Sequence, residues 1–162
     1  MREFDTALAS RCFETPLGWF RVAEDADGLV SARFLDLPPE APEEDDGRRL
    51  RQAEAMLQAY FAGEGREFDL PLHPRGTEFQ LAVWRELGQI GYGQTRTYGE
   101  IAARLGSPGA ARAVGMACGR NPLWVLVPCH RAVGRGGALT GYAGGLERKR
   151  ALLALEGGKA HG

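Results

Sequence analysis

Residues 97–119 read Thr97-Tyr98-Gly99-Glu100-Ile101-Ala102-Ala103-Arg104-Leu105-Gly106-Ser107-Pro108-Gly109-Ala110-Ala111-Arg112-Ala113-Val114-Gly115-Met116-Ala117-Cys118-Gly119, and their punctuation sets the architecture of the C-terminal half. Thr97 followed three residues later by Glu100 has capping-box spacing, so it opens a short helix with Ile101 and Leu105 inward that Gly106 closes. Ser107 and Pro108 then supply an N-cap and a first-turn proline for a second helix over about residues 109–120. Two short helices joined by so tight a turn predict a helix-turn-helix.

The second helix carries the information. At 100° per residue Ala110, Val114 and Ala117 share an inward face, which sends Arg112, Gly115 and Gly119 to the opposite side. Each glycine costs a helix about 1 kcal/mol against alanine, so helix stability does not account for them. Bare backbone on an exposed face permits close approach to another surface, and a single long cation there can enter a groove. A small-residue helix packed on another helix, with Arg112 solvated, explains the pattern equally well.

Upstream, Thr77-Glu78-Phe79-Gln80 is a second capping box, for a helix with Phe79, Val83 and Leu87 on one face and Gly91-Tyr92-Gly93 at its end. Downstream lies Asn121-Pro122-Leu123-Trp124-Val125-Leu126-Val127-Pro128-Cys129-His130-Arg131. Val125 to Val127 predicts a short buried extended run, ended by Pro128, which cannot donate to a ladder. A cysteine attacks carbon as thiolate, and an imidazole that takes its proton supplies that character. On a straight strand Cys129 and His130 would point apart, so they cooperate only if the chain bends or a water relays the proton. A Cys-His dipeptide taken at random is more often an inert packed thiol beside a surface histidine.

Residues 146–156 predict a C-terminal helix with Leu152 and Leu155 inward, ended by Gly157-Gly158. Glu156 in its last turn is opposed by the helix dipole, so a cationic partner would explain it. If that partner is His130, then Glu156, His130 and Cys129 form an orienter, a base and a nucleophile; otherwise Glu156 is an exposed residue at a frayed end. The glycine-rich stretch 134–145 has neither a P-loop lysine-serine pair nor a GxGxxG, which argues against phosphate cradling and for a wall beside a pocket.

The N-terminal segment reads as an antiparallel meander of Arg11–Thr15, Trp19–Ala23 and Leu29–Leu35 around turns at Pro16-Leu17-Gly18 and Asp25-Ala26-Asp27-Gly28. A proline-rich acidic loop, 38–47, leads to a helix marked by Leu50, Ala53, Leu57, Tyr60 and Phe61. Phe68-Asp69-Leu70 predicts a further strand, and Pro71 and Pro74 mark a boundary that divides the chain into 1–75 and 76–162.

The whole chain, 162 residues with 44% hydrophobic and 25% charged, has ordinary globular composition. Its net charge of −1 conceals a division. Residues 1–75 hold 9 arginines and no lysine against 16 acids, whereas 76–162 hold 11 basic residues against 5 acids. Such asymmetry fits a C-terminal half that faces a polyanion, but two solvated faces of different sign are the commoner cause of it. No apolar run of membrane-spanning length and no secretory h-region occurs, so the expected location is the cytoplasm, with no membrane partner. Three cysteines, Cys12, Cys118 and Cys129, without CxxC spacing argue against a disulfide framework and a cysteine-rich zinc module. Cys12 and His73 alone do not make a four-ligand site, and no metal is expected.

Pro128-Cys129-His130-Arg131, preceded by Gly119-Arg120-Asn121-Pro122 and by Ala110-Ala111-Arg112-Ala113-Val114-Gly115, resembles the 6-O-alkylguanine-DNA alkyltransferases, the methylated-DNA–protein-cysteine methyltransferases. The likeness runs from about Phe79 to Gly157; the first segment is similar only in layout to the RNase H-like domain of that family. The resemblance implies an α+β protein, with an N-terminal RNase H-like α/β domain followed by a mostly helical catalytic domain bearing a winged helix-turn-helix. It implies single-turnover transfer of an alkyl group from 6-O-alkylguanine, with 4-O-alkylthymine as a further candidate donor, to Cys129 after nucleotide flipping, with no cofactor.

In that likeness His130 deprotonates Cys129 through a water, Glu156 holds the imidazole tautomer, and Asn121 is the hinge beside the thiol. Arg112 is the finger that fills the vacated space, Tyr98 presses the target phosphate, and Ala110, Gly115, Gly119 and Arg120 lie at the DNA. Tyr142 and Ala143, with Trp124 and Arg131, form the substrate pocket. Position 143 is alanine where some relatives carry serine, and Trp124 is bulkier than the family pattern. The implied partner is double-stranded DNA with alkylated guanine, bound through the minor groove by a monomer, with Arg96, Arg104, Arg120, Arg135 and Arg148 as phosphate contacts. Two other readings stand beside this one: a lesion sensor that flips without transfer, against which Cys129 speaks, and a Cys-His-Glu hydrolase.

Overall fold

The computed structural model describes residues 9–40 and 47–157, and its internal contacts divide the chain into two compact units, Met1–Arg75 and Gly76–Gly162. The acidic core of the expected loop, 41–46, and Gly158 lie outside the described residues.

In the first unit β1 (Ala9–Thr15), β2 (Gly18–Glu24) and β3 (Leu29–Phe34) form an antiparallel sheet in the order β1-β2-β3. The β1–β2 hairpin closes through Pro16-Leu17, with Thr15 opposite Gly18 and the Thr15 hydroxyl accepting from the Leu17 amide at 3.1 Å. Gly18 sits at φ 123°, a conformation that a side chain would resist. Helix α1 (Arg48–Phe61) buries Leu50, Ala53, Leu57, Tyr60 and Phe61, the five residues that its periodicity marks. Phe20, Phe34 and Phe61 interlock as edge-on aromatic pairs between helix and sheet.

The strand expected at Phe68–Leu70 is absent. The chain instead touches β3 through one bridge, Leu29 to Leu72, with the Leu29 amide on the Pro71 carbonyl at 2.9 Å and the His73 amide on the Leu29 carbonyl at 2.7 Å. Pro71 and Pro74 lack the N–H groups that a longer ladder needs.

The second unit begins with α2 (Glu78–Leu87), where the Thr77–Gln80 capping box is formed in both directions. Val83 and Leu87 are buried as expected and Trp84 joins them, while Phe79, expected inward, remains 37% exposed. Trp84 donates its indole N–H to the Ala117 carbonyl at 2.9 Å, which ties α2 to the second helix of the helix-turn-helix. The short strand β4 (Arg96–Thr97) pairs in parallel with β5 (Ala132–Val133). The Thr97–Glu100 box opens α3 (Tyr98–Arg104), and Gly106 closes it at φ +77°.

Helix α4 is Ala111–Gly119 and starts later than expected. Ser107 does not cap it: its carbonyl accepts from the Ala110 amide at 2.9 Å, so Ser107-Pro108-Gly109-Ala110 is a separate turn and Ala110 is an N-cap without a side-chain bond. Val114, Ala117 and Cys118 are buried, Arg112 is exposed, and α3 and α4 form the helix-turn-helix. Helix α5 (Leu146–Leu155) buries Lys149, Leu152 and Leu153, whereas Leu155, expected inward, is half-buried. No helix among the described residues is long and apolar enough to cross a membrane.

Candidate active site

The expected extended run at Val125–Val127 is a tight turn. Val125 has φ +72°, and the Leu126 amide reaches back over it to the Trp124 carbonyl at 2.8 Å, which defines a γ-turn. A β-branched residue resists this conformation, so the surroundings must impose it. Asn121 does so. Its side-chain N–H groups donate to the Val127 carbonyl at 2.9 Å and the Leu123 carbonyl at 3.4 Å, while its oxygen accepts from the Leu123 amide at 2.9 Å. Pro128, at φ −80° and ψ 66°, makes an inverse γ-turn with the Cys129 amide on the Val127 carbonyl at 2.8 Å. Cys129–Arg131 then form one 3-10 turn. The bend required for Cys129 and His130 to act together is therefore present.

Cys129 lines a cavity of about 410 Å³. Arg112, Gly115, Met116 and Gly119 of α4 border it on one side, and Tyr98, Tyr142 and Ala143 on others. His130, Glu156, Asn121 and Arg131 lie outside that lining and support the cysteine turn from behind. Trp124 is not a lining residue either: its indole donates to the Asn121 carbonyl at 3.0 Å and its ring tilts on Tyr142 at 6.0 Å, so it backs the pocket wall. Gly144 permits this packing, because a Cβ there would meet the Tyr142 ring at 2.7 Å. Ala110 at the N-cap and Arg120 at the C-cap of α4 stand outside the cavity.

Glu156 is buried, and its partners explain how a carboxylate is tolerated at a helix C-terminus. Oε2 meets His130 Nε2 at 2.8 Å; Arg131 grips both oxygens, each at 2.9 Å; and the Gly93 amide donates to Oε1 at 3.2 Å. Arg131 also donates to the Ile90 carbonyl at 2.7 Å. Arg131, expected at the substrate, is thus a positioning residue for Glu156, since its guanidinium is committed to the carboxylate.

Burial pushes the Cys129 thiol up to about 11, against the Asn121 side chain and the Lys149 charge, which favour thiolate. Cys118, on α4 and lining the same cavity, is pushed up to about 12 by burial and by Cys129. Burial also lowers the pKa of His130 in spite of Glu156, so the resting site holds a neutral thiol and a neutral imidazole. A carboxylate only accepts, so the Nε2 hydrogen faces Glu156 and the lone pair is at Nδ1, which has no hydrogen-bond partner among the described residues. Burial raises the pKa of Tyr98 and keeps its hydroxyl protonated.

Lys149 escaped the sequence reading. It is wholly buried, with its ammonium on the Ala132 carbonyl at 2.7 Å and the Gly141 carbonyl at 2.8 Å and 5.9 Å from the Tyr98 ring centre. Burial lowers its pKa. The available signal was spacing: Lys149, Leu152, Leu153 and Glu156 recur at i, i+3, i+4 and i+7, one helix face. As to metals, Asp25, Asp27 and His73 bring ligand atoms within 4.8 Å of one another. Asp25 commits its oxygens to the Asp27 and Gly28 amides and to His73, which accounts for the group as a turn.

Two family models match: the ribonuclease-like domain of 6-O-methylguanine DNA methyltransferase over residues 8–74, and its DNA binding domain over residues 78–158. The chain belongs to the 6-O-methylguanine DNA methyltransferase family. It is 49% identical over 151 residues to the methylated-DNA–protein-cysteine methyltransferase of Methanosarcina acetivorans, across 90% of this chain and 96% of that protein. It is 48% identical to the Mycobacterium tuberculosis protein of the same description, across 93% of each. The crystal structure of Mycobacterium tuberculosis OGT in complex with DNA superposes with a TM-score of 0.83 at 48% identity, covering 91% of this chain and 92% of that one.

Proposed function

We propose that this chain repairs alkylated DNA by direct reversal, extruding a 6-O-alkylguanine nucleotide and moving its alkyl group to Cys129. The observation that carries the reading is the Cys129 thiol in a cavity bordered by α4, on a turn whose next residue, His130, is paired to Glu156. The names of the similar proteins support the reaction class, and the DNA complex of the mycobacterial relative supports DNA as partner.

An alkyl group on guanine oxygen is out of reach inside a stack, so the base must leave the duplex, at a cost of a few kcal/mol that a weakly paired lesion reduces. The helix-turn-helix enters the minor groove with the bare face of α4, and Arg112 occupies the vacated space. Once the base is seated, the thiol proton passes to His130 Nδ1 through a water. The sulfur bonds to the alkyl carbon as the carbon–oxygen bond breaks, and the electron pair stays on guanine, which regains a proton. Tyr98, with its hydroxyl protonated, and the Ala143 amide beside Tyr142 donate to the leaving base and stabilise that charge. The thioether cannot be hydrolysed, so each molecule acts once. The protein works as a cytoplasmic monomer, and 4-O-alkylthymine is a further candidate substrate.

The test reads the DNA. A duplex with one 6-O-methylguanine is incubated with the unaltered protein or with C129S and digested to nucleosides. Guanine recovered in an amount equal to the unaltered protein, with the lesion intact under C129S, is the expected result. A bound but intact lesion supports a non-transferring sensor, and turnover of an ester supports a hydrolase; either overturns this reading.

A further inference from the structure

Met116 is the most exposed large hydrophobic residue of the second unit, at 68%. It follows Arg112 by four residues on α4 and so projects from the same face, one turn further on. Both side chains border the cavity that holds Cys129. A second cavity, of about 400 Å³ between Thr97, Gly99 and Arg135, is bordered by Arg112 but not by Met116. Met116 therefore stands on the Cys129 side of the arginine. The backbone around the two is bare, because a Cβ at Gly115 or Gly119 would meet nothing within 4 Å. Packing of α4 rests on Val114, Ala117 and Cys118, so the fold does not use Met116.

We propose that Met116 is a second, apolar wedge that works beside Arg112 on duplex DNA, packing against the sugar and base that flank the extruded nucleotide. The inference rests on the DNA-repair reading above. Extruding one nucleotide leaves its flanking bases about 6.8 Å apart, centre to centre, which is room for one inserted layer. Residues i and i+4 of a helix are about 6 Å apart along its axis, so with Arg112 in the gap Met116 falls beside it, at the sugar and base of the flanking nucleotide. The division of labour follows from chemistry. A guanidinium satisfies the polar edges left by the lost base, while the flanking base exposes an apolar face that an unbranched thioether chain covers well. Covering it opposes re-stacking and holds the extruded nucleotide toward Cys129. The basic excess of this half of the chain, 11 against 5, favours a polyanion rather than an apolar protein surface as the occupant.

The test compares M116Q, M116L and M116A with the unaltered protein, using the rate constant of methyl transfer from 6-O-methylguanine in a duplex and from the same lesion as a free nucleoside. Circular dichroism verifies the fold. The expected result is a duplex-to-nucleoside ratio that falls about fivefold or more in M116Q and M116A and stays within about twofold in M116L. An unchanged ratio in M116Q overturns the inference, as does an equal fall on both substrates, which would make Met116 a pocket wall. Absence of transfer from either substrate by the unaltered protein overturns the repair reading, and this inference with it.

Discussion

His130 Nε2 and Glu156 Oε2 lie 2.8 Å apart with both side chains wholly buried. The pair is stable there because Arg131 neutralises the carboxylate from its other side with two bonds of 2.9 Å. Breaking a buried ion pair from one end strands the other, at a typical cost of about 3–5 kcal/mol. R131A is therefore expected to lower unfolding free energy by that amount in urea denaturation, and E156Q by a comparable one. The double variant R131A/E156Q should lose much less than the sum. Additive losses would show that the three groups do not act as a unit.

Asn121 holds the turn that presents Cys129. N121A removes three short-range bonds and leaves the strained Val125 backbone, φ +72°, without its clamp. The expected destabilisation is about 1–3 kcal/mol, read in urea, together with slower methyl transfer. A variant as stable and as fast as the unaltered protein would contradict the assignment.

Local signals in the sequence carried much of this structure. The capping boxes at Thr77 and Thr97 involve residues three apart, and both form, because their partners are chain neighbours. The face of α1 and the helix-turn-helix were legible for the same reason. Val125–Val127 was not, since its apolar run suits a strand and only the Asn121 clamp turns it into a γ-turn. Ser107 resembles a cap in sequence, but residues 107–110 close a turn of their own, which moves the helix start to Ala111 and the N-cap position to Ala110. Arg131 was expected at the substrate and Lys149 was not singled out, because each is defined by partners that the fold brings from elsewhere, Ile90 and Glu156 for one, Ala132 and Gly141 for the other.

The lowered pKa of buried His130 predicts a pH dependence of stability. Below about 6.5 the unfolded chain takes up a proton on this imidazole that the folded chain refuses, so stability present above that pH is lost as pH falls through it. The slope is at most about 1.4 kcal/mol per pH unit. Urea unfolding of the unaltered protein and of H130Q between pH 7 and about pH 5 should give the steeper loss for the unaltered protein. Parallel curves would show that His130 takes up a proton in the folded chain as readily as in the unfolded one, and would contradict the lowered pKa.

Arg104 is engaged with Glu86 at 2.9 Å, and Arg96 lies 3.7 Å from the same carboxylate, whereas Arg120 and Arg135 are exposed. If the exposed pair contacts phosphates, R120A and R135A each reduce the slope of log affinity against log salt by about 1. R104A should change it less. Equal slopes for all three variants would remove Arg120 and Arg135 from the interface.

Cys129 is the alkyl acceptor of the proposed reaction. Intact-protein mass spectrometry after incubation with excess duplex containing 6-O-methylguanine, followed by peptide mapping, addresses it directly. One methyl increment per molecule is expected, on Cys129, with no further gain however long the incubation. A protein of unchanged mass after the lesion has disappeared, or an increment that persists in C129S, would contradict it.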